Sequence, residues 1–79
     1  MSGLVADPRV LAGARARKCV STVRAQLGFV EHGLGVIYDA RLAHIPNTHR
    51  AAVELGLVSL DAILEALMTL RELIERERT

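Results

Sequence analysis

The sequence predicts an all-α fold: a long antiparallel helical hairpin with helices over about 8–45 and 48–77, dimerising into a four-helix bundle. Three observations lead there. The chain has no Trp, one Phe and one Tyr among 79 residues but eleven alanines, so its core must be aliphatic. That composition suits helix–helix packing better than strands. Apolar residues recur in alternating steps of three and four on both sides of Pro46, the spacing that holds one stripe of a helix against a partner. Finally, Ile45-Pro46-Asn47-Thr48 is the strongest internal break, because proline disfavours helix at the residue before it and brings no amide hydrogen.

Residues 1–79 form one small domain, with 1–7 a candidate disordered lead-in. Asp7-Pro8 starts the first helix: aspartate caps the free amides and proline fits the first helical position. Along the first arm Ala16, Val20, Val23, Leu27, Val30, Leu34 and Ile37 form a heptad seam. Gly28, Gly33 and Gly35 interrupt it with poor helix formers, at about 1 kcal/mol each. The seam keeps its phase through them, which favours one long helix over a three-helix alternative broken at Gly33–Gly35.

After Pro46, Asn47 or Thr48 is available to cap the second helix. Its seam is Val53, Gly56, Leu60, Ile63, Leu67, Leu70 and Ile74. Folding the chain back near residue 46 pairs Ile37 with Gly56, Leu34 with Leu60 and Val30 with Ile63. The series continues with Leu27 on Leu67, Val23 on Leu70 and Val20 on Ile74. About twelve seam residues are a thin core for a chain this long. A second apolar surface, with Phe29, Val36 and Ala43 beside Ser21, Gly28 and Gly35 on one arm and Leu57 and Leu64 on the other, is therefore expected to pair two hairpins.

Mean hydropathy is positive, but every apolar stretch is broken by charge well short of the ~18 residues a membrane span needs. A single cysteine, Cys19, excludes an internal disulfide framework and fits a reducing compartment. The first residues do not follow the charged-then-apolar pattern of a signal peptide. Cytoplasmic location is the expectation. Nine of the ten basic residues are arginine, a usage associated with GC-rich bacterial and phage genes.

Net charge is +1, yet residues 1–30 carry five bases against one acid and residues 31–79 five bases against eight acids. Arg9, Arg15, Arg17, Lys18 and Arg24 are the candidate nucleic-acid contacts, but helical spacing scatters them around the axis and no aromatic residue interleaves for stacking. Glu72, Glu75 and Glu77 are expected beside them in the hairpin. Arg24 and Arg71 are expected on one flank, where they would repel. Residues 51–63 faintly echo a helix-turn-helix, with Ala52 and Gly56 suitably spaced, but the would-be reading helix is apolar and acidic, a poor match to phosphate.

His32, His44 and His49, with Glu31 and Asp39 near, offer metal-ligand chemistry. His44 and His49 straddle Pro46 and share no helix face. No metal, cofactor or catalytic residue is therefore expected, and the chain carries no phosphate loop, nucleophile elbow or paired carboxylates in an apolar setting. The reading is a non-enzymatic helical interaction or regulatory protein, acting by protein–protein contact as a homo-oligomer, with Phe29, Val36, Tyr38 and Leu42 as anchors. The alternatives are a DNA-associated regulator using the Arg-rich arm, and a small helical enzyme in which Arg24, Arg41 and Arg71 clamp an anion between subunits.

Overall fold

The computed structural model describes residues 7–39, 41, 42 and 44–78. It contains two helices, α1 (Pro8–Tyr38) and α2 (Pro46–Arg76), packed against each other as a hairpin. The expectation for residues 1–6 and the place of Ala43 lie outside the described residues. Both helices have 31 residues, about 46 Å at 1.5 Å per residue.

The start of α1 follows the sequence. Pro8 occupies the first turn, and the Asp7 carboxylate accepts a hydrogen bond from the Arg9 amide at 2.8 Å. The helix runs unbroken through Gly33 and Gly35, neither with positive φ, so the three-helix alternative does not form.

α1 stops at Tyr38, not near residue 45, and Asp39 is the reason. Its backbone is extended, and its side chain accepts from the Arg41 amide at 2.9 Å. An aspartate that binds the amide two residues on competes with helical pairing. Further turns follow: the Leu42 amide donates to Asp39 O and the Ile45 amide to Leu42 O. Ile45 is extended, as a residue before proline should be, and serves as the N-cap of α2 without a side-chain bond. Pro46 is thus the first residue of α2, and neither Asn47 nor Thr48 caps it.

This shorter first helix moves the centre of the reversal from near residue 46 to near residue 42, and the register moves with it. A β-carbon added to Gly33 would lie 3.2 Å from the Ala52 carbonyl oxygen. Ala12 and Ala16 line a concavity with Leu73 and Ile74. The predicted layers are therefore off by one heptad. Leu67 lies roughly 12 Å along the axis from the level of Leu27.

The packed stripe has also turned. Ala16, Val23, Val30 and Ile37 of the predicted seam remain half-buried, but Val20, Leu27 and Leu34 are exposed. Cys19, Gln26 and the buried Gly33 take their places. On α2 the buried residues are Ala52, Ser59, Ile63, Ala66 and Leu73, while Leu60, Leu67 and Ile74 are exposed. Small residues thus line the seam where leucines were expected. Small side chains let two helix backbones approach closely, and the leucines then stand at the rim.

The hairpin measures 61 × 28 × 13 Å, so it is one helix thick. A helix pair in one layer covers only the stripe between its members.

Candidate interaction surface

The rim residues share one broad face. On α1, Val20, Leu27 and Leu34 recur every seven residues; on α2, Leu60, Leu67 and Ile74 do the same, with Leu57 and Leu64 beside them. All eight are between 39 and 70 % exposed. Leu34, Leu57 and Leu60 border a single groove over Val30 and Gly56, so the two helices contribute to a continuous surface. In the observed register Leu27 stands level with Leu60, and Val20 with Leu67.

Phe29 and Val36 are on the other side of the hairpin. Val36 lines a groove with His32, Ala52 and Leu55, not with Leu57 or Leu64. The second apolar surface expected from the sequence therefore does not exist as one patch: its α1 members and its α2 members face opposite ways. Gly28 and Gly35 look outward, with no described residue within 4 Å of an added β-carbon.

The four predicted anchors are only partly brought together. Val36 and Leu42 line one concavity with His32 and Asp39, and Phe29 is half exposed on the same flank as Val36. Tyr38, 81 % exposed, follows Phe29 by nine residues, which is half a turn around the axis. It stands on the leucine side.

The basic residues Arg9, Arg15, Arg17, Lys18 and Arg24 are all exposed and diverge around α1. Arg9 and Glu77 line one concavity across the hairpin, with Leu73. Glu75 is engaged within its own helix, 3.8 Å from Arg71 and 3.6 Å from Arg78, and such exposed pairs contribute little. Arg24 and Arg71 do not oppose each other, because the register separates them along the axis by roughly 13 Å. Arg41 pairs with Asp39 in the connector at 3.4 Å, past the end of α1, which itself lies roughly 20 Å along the axis from Arg24. The three arginines of the proposed anion clamp do not converge within one chain.

Residues 51–63 lie inside the unbroken α2, which removes the helix-turn-helix. His32 and His44 are exposed and His49 is half-buried. Among the described residues no group of three or more His, Cys, Asp or Glu side chains is placed to hold a metal ion. Cys19 is a half-buried free thiol in the seam. Among the described residues no helix is long and apolar enough to cross a membrane.

The leucine face keeps heptad phase, so spacing alone assigns its large residues to the seam. A signal is present: Cys19 and Gly33 on α1, and Ala52, Ser59 and Ala66 on α2, are small residues that each stand one position before a member of the predicted seam. No protein-family model matches the chain, and neither the curated proteins nor the solved structures give a significant match.

Proposed function

We propose that this protein is a small non-enzymatic interaction or regulatory module, a cytoplasmic helical hairpin that works by protein–protein contact as a homo-oligomer. The observation that carries the reading is the leucine face: large aliphatic side chains stand exposed along both helices, while only Ala52, Ile63, Ala66 and Leu73 form the buried hydrophobic core among the described residues. Contiguous apolar surface on that scale marks an interaction site. Contact with another protein would run along the opposite flank through Phe29 and Val36, extended by Leu42. DNA is the weaker partner, since the exposed bases around α1 present no common face.

Sedimentation equilibrium of the purified chain tests the reading, combined with co-purification from the native host using wild type and Phe29→Ala. The expected result is an oligomer that retains a partner and loses it in the variant. A chain that stays monomeric up to about 1 mM, the weak end of measurable association, and retains nothing would refute it.

A further inference from the structure

We infer that the leucine face is covered by a second copy of this chain, packed antiparallel so that the turns lie at opposite ends and the two-fold axis passes through the Leu27–Leu60 layer. This rests on the homo-oligomer reading above and adds the face, the orientation and the register.

The area fits. Eight aliphatic side chains at roughly half exposure offer about 700 Å² per protomer, near the ~800 Å² per partner of a standard stable interface. Covering them turns a one-layer hairpin, 13 Å thick, into the two-layer arrangement that stable helical domains adopt.

Symmetry selects the occupant. In an isologous contact whose two-fold axis runs across the helices, each helix meets its own copy reversed, so its pattern must read alike from both ends. About Leu27 it does: Val20 and Leu34 lie seven residues to either side. About Leu60, Val53 and Leu67 lie seven residues to either side, with Leu57 and Leu64 three before and four after. Leu27 and Leu60 stand at one level, so a single axis serves both helices. Rotation about it sets Val20 against the partner's Leu34 and Leu57 against the partner's Leu64.

Charge along α1 favours one orientation. Arg24 and Glu31 border the face on the outer side of α1, three residues before Leu27 and four after it, and both are exposed. Neither has an ion-pair partner among the described residues of its own chain. The antiparallel arrangement brings Arg24 beside the partner's Glu31, and symmetry makes the pair twice. With the turns at the same end, α1 would instead lie along the partner's α2. Arg17 would then stand level with the partner's Arg71, Glu31 with the partner's Leu57 and Arg24 with the partner's Asp61.

The experiment uses the full chain. Sedimentation equilibrium of wild type should give a dimer; a monomer overturns the homo-oligomer reading and this inference together. Leu60→Glu should weaken dimerisation by roughly 100-fold, as a charge at the centre of an interface does, whereas Val58→Glu, on the outward side of the same helix, should not. A dimer equally sensitive to Val58→Glu, or indifferent to Leu60→Glu, overturns the face and leaves the oligomer standing. For orientation, Leu27→Cys in a Cys19→Ala background should oxidise to a covalent dimer, because the two introduced thiols meet on the axis. A wild-type dimer whose Leu27→Cys variant stays uncrosslinked overturns the antiparallel arrangement. Arg24→Glu and Glu31→Arg should each weaken association by about 10-fold, and the double variant should recover to within about 3-fold of wild type. Recovery is a result that misfolding does not imitate; its absence, with helicity retained by circular dichroism, removes the register.

Discussion

Gly33 meets the backbone of Ala52. A β-carbon at Gly33 would sit 3.2 Å from the Ala52 carbonyl oxygen, so at this level no side chain separates α1 from α2. Nearer the turn the chain has only the short connector 39–45 in which to reverse. Away from it, Ala16, Cys19, Ala66 and Ser59 keep the helices close. The contact therefore locks the register, and the register decides which residues are left outside.

The two glycines of Gly33-Leu34-Gly35 should respond in opposite ways. Gly35→Ala meets open space and should stabilise the fold by about 0.5–1 kcal/mol through helix propensity. Gly33→Leu should destabilise by about 1–3 kcal/mol, because the helices must separate or shift. Urea unfolding at one fixed protein concentration reads both. Equal stability of the two variants would mean that the close approach does not set the register.

Ser59 is 1 % exposed, and its hydroxyl oxygen has no hydrogen-bond partner among the described residues. A buried hydroxyl without a partner carries a desolvation cost of about 1–3 kcal/mol, and alanine is also the better helix former. Ser59→Ala is expected to raise stability by about 1 kcal/mol. A loss of stability would show that the hydroxyl is bonded in solution.

Ile63 is common to the observed and predicted seams, and Ala66 separates them. Ile63 is 7 % exposed, and Ile63→Ala should cost about 2–5 kcal/mol. Ala66→Leu should cost about 1–3 kcal/mol by overpacking the small-residue stripe. Were Leu67 the seam residue instead, Ala66→Leu would lie outside the contact and change little. Thermal unfolding of the variants distinguishes the cases.

The bases of α1 diverge around the helix, so no steep electrostatic footprint forms. In a mobility-shift assay at about 50 mM salt the chain should give no discrete complex with random duplex DNA. A complex that weakens steeply between 50 and about 200 mM salt would return the DNA-associated reading to the front.

Much was legible in the sequence for local reasons. Asp7 and Pro8 mark a helix start whatever follows, because the cap depends on neighbouring amides. Pro46 constrains Ile45 by a steric clash within one residue. The heptad phase survived as well: Ala16, Val23, Val30 and Ile63 belong to the packed stripe. What was not legible concerned choices between near-equivalent partners. Asp39 looked like an ordinary helical residue, and its side-chain bond to the Arg41 amide ended α1 early.

The sequence by itself determined that the chain is helical, that it reverses once, and that each arm carries an apolar stripe of period seven. These follow from propensity, proline sterics and spacing, all of which act over a few residues. The tertiary structure decided the register and which of two adjacent stripes is covered. A heptad pattern reads the same when slid by seven residues or turned by one position, so periodicity cannot choose among those packings. Backbone approach at Gly33 and Ala52 chooses, and it leaves the leucines on the outside.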